Sequence, residues 1–191
     1  ITNLEQFNDY VDHICEFDEG TIDFVVVDTL TSLGALYKTF ILENLFGGDA
    51  LKFGMYGKGK QACELHADKI VNQFMRLKDR GINVVLLAHS ENAKEENVEG
   101  LDYSKQTFAC EPALRNSVAA KADNILRIGM DIFVDDSQGS KGKAKSSNQR
   151  VLFTTATATS GCKNRIGCQP RYDLGSNAES GGKVLEDLLT S

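Results

Sequence analysis

The strongest constraint on this chain is a pair of short, unbroken apolar runs separated by helical patterns. Phe24 to Val27 and Asn83 to Ala88 are compact and rich in valine. Such runs read as strands buried on both faces, the usual state in a parallel sheet. The first ends in Asp28 and Thr29, the second in His89 and Ser90. Helical periodicity fills the residues between them, so strand, helix and strand form a right-handed crossover with parallel strands. Polar residues at the C-terminal ends of such strands point into the crevice where open α/β sheets bind ligands. The alternatives are local: Asp28 and Thr29 cap the helix that follows, and His89 is a packed histidine at a strand end.

Flanking segments extend the pattern. Leu4, Phe7, Val11 and Ile14 recur at helical spacing, predicting a helix over 3–17. Residues 30–46 form a second helix with Leu33, Leu36, Tyr37, Phe40, Ile41 and Leu45 on its apolar face, stopped by Gly47 and Gly48. Residues 62–80 form a third, with Leu65, Ile70, Phe74 and Leu77 inward and Gly81 just past its end. Residues 91–111 are charged and aperiodic and predict a long loop. A short helix opens at Pro112, and a strand is expected over 124–134. Residues 135–149, rich in Ser, Gly and Lys, predict a mobile hairpin loop. A Thr-rich strand over 150–159 is expected to join the same sheet as the two apolar runs. A glycine-flanked basic turn follows from Gly161 to Gly167, then a short strand at 172–174 and a terminal helix over 182–189.

Gly54 to Lys60 (GMYGKGK) fits the glycine-rich phosphate-loop pattern G-x-x-x-x-G-K. That motif needs a buried strand before it and Ser or Thr after the Lys. Here a glycine-rich helix exit precedes it and Gln61 follows, so the segment reads as a flexible surface loop. With 191 residues the chain can bury roughly 70% of its unfolded surface as one domain. A net charge of -6 argues against a broad nucleic-acid surface. No apolar run nears the ~20 residues that span a bilayer, and no membrane partner is expected. Five scattered cysteines fit a reducing compartment, and their spacing does not match structural zinc.

VVVDT ending at Thr29, VVLLAHS ending at Ser90 and CKNRIG from Cys162 stand in fixed order. Together they resemble the RecA/RadA branch of P-loop ATPases, most closely the phage-type RecA-like ATPases with an AAA domain. The resemblance implies an α/β fold: a RecA-like P-loop NTPase core over 1–191, with a mostly parallel central sheet flanked by helices and a C-terminal β-hairpin region. It implies that Asp28 holds Mg²⁺ through a bound water and that Thr29 lies beside it in the same shell. His89 takes the sensor position that couples the γ-phosphate to the following loop. Lys163 and Arg165 match paired finger residues that reach a neighbouring protomer's nucleotide; the alternative is an exposed basic turn. The implied cofactors are ATP and Mg²⁺. The implied setting is a head-to-tail homo-oligomer in the cytoplasm of a bacterial host, acting in DNA recombination or replication with single-stranded DNA or a recombination partner protein.

The chain departs from that pattern in having no phosphate loop before Asp28 and no catalytic glutamate. It begins at Ile1 and reads as the C-terminal two thirds of a longer ATPase, inactive by itself. The acidic loop after His89 puts DNA binding there in doubt. Two other readings stand beside this one. The first is a degenerate RecA-like scaffold for binding or assembly; the second is another α/β enzyme with Asp28 and His89 lining a small-molecule crevice.

Overall fold

The computed structural model describes residues 1–96, 100–135, 143–175 and 177–190. The chain divides into two compact units: Ile1–Glu91 with Phe108–Lys121, and Asn92–Thr107 with Ala122–Ser191. Helices and small sheets together fit the α/β class.

The first unit follows the sequence pattern closely. Helix α1 (Leu4–Cys15) is capped by Asn3, whose side chain accepts from the Gln6 amide. Strand β1 (Phe24–Asp28) leads into α2 (Leu30–Phe46), which ends at Gly47 in the left-handed conformation, φ 60°. Then come α3 (Ala50–Gly54), a 3-10 turn at Met55–Gly57, α4 (Lys58–Asp79) and β2 (Asn83–Leu87). Helix α5 (Pro112–Lys121) completes the unit. Its core joins Phe7 and Val11 of α1, Leu33 and Ile41 of α2, Ile70 and Phe74 of α4, and Leu114 of α5. The Phe7 and Phe74 rings meet edge-on, centroids 5.6 Å apart. Leu65 is not in this core; it is 73% exposed, and Cys63 and Ala67 face inward instead.

β1 and β2 are parallel, paired in register from Phe24 with Asn83 to Asp28 with Leu87. The crossover expectation holds, but burial on both faces does not. Val25, Val27, Val84 and Leu86 pack against the core. On the other face Phe24, Val26 and Leu87 are 39%, 57% and 44% exposed. The sheet has two strands among the described residues. An apolar run marks a strand, but the layers that cover it come from elsewhere in the chain.

The segment after β2 is not a loop. Strands β3 (Ser90–Glu95) and β4 (Tyr103–Phe108) form a two-stranded sheet. β3 carries Glu91, Lys94 and Glu95 and β4 carries Lys105, and neither alternates apolar with polar residues; ion pairs join the two segments, Lys94 to Asp102 just before β4 at 2.6 Å and Lys105 to Glu95 at 4.0 Å. In the second unit β5 (Arg127–Asp135), β6 (Lys143–Phe153) and β7 (Arg171–Gly175) form an antiparallel sheet in the order β5-β6-β7. The expected Thr-rich strand over 150–159 therefore ends at Phe153 and does not join β1 and β2. Its hydrogen bonds go to neighbours close in sequence on either side. The tip of the expected 135–149 loop, residues 136–142, lies outside the described residues, while Lys143–Gln149 belong to β6. Helix α6 (Ala178–Thr190) closes the unit.

The rejected phosphate-loop match is helical, not a flexible loop. Asp49 caps α3, its side chain accepting from the Leu51 and Lys52 amides at 3.0 Å each. A side chain at Gly59 would put its Cβ 2.5 Å from the Phe53 ring, so this glycine admits that ring. The segment's glycines serve the turn between two helices, and a helix rather than a strand leads into them.

Candidate functional site

The parallel register fixes where the first two candidate residues stand. Asp28 ends β1 opposite Leu87, and His89 follows two residues later. Both therefore lie at the C-terminal end of the same sheet, as expected of crevice residues. Partners in register share a face, so the Asp28 carboxylate is on the exposed face with Phe24, Val26 and Leu87. Among the described residues, no hydrogen bond or ion pair engages the Asp28 or His89 side chain. The peptide bond between Asp28 and Thr29 is cis.

Thr29 does what the local alternative requires. Its hydroxyl accepts from the Ser32 amide at 3.1 Å and caps α2. Capping belongs to Thr29 and leaves the Asp28 carboxylate uncommitted. The same hydroxyl also shares a hydrogen bond with the Ser32 hydroxyl at 3.1 Å; with two lone pairs and a proton it keeps capacity for one more partner.

Two residues later, Thr31 joins three segments. Its hydroxyl accepts from the His89 amide at 3.1 Å and donates to the Ala109 carbonyl at 2.7 Å. The Ala109 amide in turn donates to the His89 carbonyl at 2.7 Å. Close packing accompanies these bonds. A Cβ on Gly34 would lie 2.7 Å from the Cys110 sulfur, and the Cys110 thiol points to the Leu30 carbonyl at 3.7 Å. Burial pushes the Cys110 thiol pKa up to about 11. Beyond this point Arg115 pairs with Glu91, and Glu111 accepts from the Leu114 amide at the start of α5. Thr31 carries no sequence signal of its own; a Thr in the first turn of a helix ordinarily reads as part of the cap.

Lys163 and Arg165 belong to the second unit. The Lys163 backbone exchanges hydrogen bonds with Ile125, at 2.9 Å and 2.8 Å. Asn164 closes the turn, donating to the Cys168 carbonyl and accepting from the Cys168 amide. Arg165 is exposed, its amide donating to the Asn124 side chain and its guanidinium 3.8 Å from Asp123. Burial, then the neighbouring Arg165 charge, holds the Lys163 ammonium pKa below its usual value. The turn thus has a fixed backbone and carries two cations.

A family model described as AAA domain matches residues 1–166, a span that takes in both strand ends and Lys163 and Arg165 of the basic turn. The chain belongs to the AAA domain family. No curated protein and no solved structure matches the chain. The AAA domain is of the P-loop NTPase type, a nucleotide-binding class that generally uses ATP with Mg²⁺. The residues present fit the metal half of that pair. Asp28 offers an exposed, uncommitted carboxylate, and Mg²⁺ is typically held by one or two carboxylates, waters and substrate phosphates. Among the described residues, no cluster of three or more His, Cys, Asp or Glu could form an all-protein cage. No glycine-rich phosphate cradle between a strand and a helix occurs among them either. No described helix of this AAA domain is long and apolar enough to cross a membrane.

Proposed function

We propose that the chain, over 1–191, is a RecA-like ATPase domain of phage or prophage type. It acts in DNA recombination or replication as a head-to-tail homo-oligomer, with single-stranded DNA or a recombination protein as partner. The observation that carries the reading is the parallel β1–β2 pair, with Asp28 and His89 at one end in an AAA domain. Asp28 would hold Mg²⁺ through a bound water, with the Thr29 hydroxyl beside it. Mg²⁺, when bound, neutralises charge on the β- and γ-phosphate oxygens. His89 stands where a γ-phosphate contact is passed to the chain that follows it. Lys163 and Arg165 offer cations to a neighbouring protomer's nucleotide, where charge on the γ-phosphoryl oxygens needs stabilising.

The test is Mg·ATP turnover by the full-length protein and by Asp28→Asn and His89→Ala. Both variants should lose most of the turnover and keep the wild-type circular dichroism spectrum, because neither side chain holds the fold together. Full turnover in Asp28→Asn would remove the metal assignment. A wild-type protein that neither binds nor hydrolyses ATP would leave the scaffold reading in its place.

A further inference from the structure

We infer that Thr31 is a positioning residue that holds His89, and with it the base of the β3–β4 excursion, against the carboxylate-bearing end of β1. The functional part of this inference rests on the reading of His89 as a nucleotide-sensing residue.

After His89 the chain leaves the first unit at Asn92 and returns at Phe108. The excursion is therefore closed where His89 meets Ala109, through the Ala109 amide and the His89 carbonyl. A single hydroxyl, that of Thr31, bonds both residues at this closure. It uses its proton on the Ala109 carbonyl and a lone pair on the His89 amide, a pairing that a hydroxyl can make and a methyl cannot. Thr31 lies three residues after Asp28, in the first turn of α2. The first turn of α2, which follows the strand end bearing the carboxylate, thus shares one three-way junction with the strand end bearing the imidazole and with the returning chain.

Packing around the junction leaves it little slack. Gly34, one turn further along α2, lets Cys110 and Glu111 approach so closely that an added Cβ would sit 2.7 Å and 3.0 Å from them. The Arg115–Glu91 ion pair ties the start of α5 to the residue two after His89, with the Arg115 side chain only 19% exposed. Helix α2 therefore bears on His89 through Thr31 and on the returning segment through Gly34. A displacement at the Asp28 end of α2 reaches both through these contacts.

The experiment compares Thr31→Val, which keeps shape and removes the hydroxyl, with Thr31→Ser, which keeps the hydroxyl. Amide hydrogen exchange is read at His89 and Ala109 without nucleotide, and kcat and KM for Mg·ATP are read on the full-length protein. In Thr31→Val, exchange should rise about tenfold at both amides, the protection that a hydrogen bond of ordinary net strength gives. Its kcat should fall while KM stays near wild type, and Thr31→Ser should restore both readouts. Unchanged exchange in Thr31→Val overturns the inference. So does a Thr31→Ser variant that exchanges as fast as Thr31→Val, since the methyl packing would then be what matters. Should Thr31→Val not fold, Thr31→Ser decides: wild-type exchange supports the hydroxyl's role, and fast exchange overturns it. If the wild-type protein turns over no ATP, the ATPase reading fails separately, and exchange alone judges the clamp.

Discussion

Asp28 and Thr29 are adjacent and yet divide two tasks that the sequence alone assigns to either. The Thr29 hydroxyl takes the cap of α2, which leaves the Asp28 carboxylate at the strand end without a structural duty. Cysteines divide in a similar way. Burial raises the thiols of Cys63 and Cys110 from the ordinary 9.0 to about 11. Thiolate is the reactive form, so iodoacetamide at pH 8 should alkylate Cys15 and Cys168 well before Cys63 and Cys110 in the native protein. Peptide mass spectrometry follows the order, and equal rates at all four would contradict it. The same shifts carry a sign for stability. Below pH 9 the folded and unfolded chains both keep these protons. Between about pH 9 and 11 the unfolded chain loses them first, so these two groups lower stability as pH rises through that window. Urea midpoints at pH 8 and pH 10.5 should fall in that direction.

At the scale of elements, the turn between α3 and α4 decides against a phosphate site at Gly54 to Lys60. Its geometry comes from the Asp49 cap and from Phe53, whose ring packs on Phe46 at 5.4 Å between centroids and covers Gly59. Gly59→Ala should therefore destabilise the protein by roughly 1–3 kcal/mol, the usual cost of overpacking, measured by urea unfolding. Lys60→Ala should leave both stability and Mg·ATP affinity unchanged, because Lys60 is exposed and its ion pair with Glu64 at 3.8 Å is a surface pair. Isothermal titration of residues 1–191 with Mg·ATP should give weak binding at most. Micromolar affinity lost in Lys60→Ala would reinstate the phosphate-loop reading of this segment.

At the scale of the whole molecule, the proposed activity depends on assembly. A cation supplied by a neighbour is no part of the pocket that holds the nucleotide, so Lys163→Ala and Arg165→Ala should lower turnover and leave the monomer's nucleotide affinity nearly unchanged. Arg groups supplied in this way contribute on the order of 10³-fold or more in related NTPases. Arg165→Lys should be nearly as damaging as Arg165→Ala, because an ammonium cannot reproduce a two-pronged contact. Mixing separates action across protomers from action within one. Arg165→Ala and Asp28→Ala proteins, each inactive alone, should regain partial turnover together, since some interfaces then pair an intact pocket with an intact finger. A mixture that stays inactive, under conditions where wild-type protein assembles, would make the basic turn a surface feature.

Most of what the sequence determined by itself is local. Helix α2 runs over Leu30–Phe46, where its periodicity and Gly47 put it, and β1 and β2 are parallel because of the helix-bearing connection between them. Caps, periodicity and crossover handedness act over a few residues or through one connection, so they can be read from the chain. Asp28 and His89 at one sheet end follow from those same rules. Tertiary structure decided the rest. β6 pairs with β5 and β7 rather than with the parallel strands, and one face of the β1–β2 sheet stays exposed. Largely polar β3 and β4 carry no apolar alternation, so only their pairing reveals them as strands. Thr31 finds partners 58 and 78 residues away. Strand partners, covering layers and long-range hydrogen bonds are chosen by which surfaces meet once the elements exist, and no local residue pattern encodes that choice.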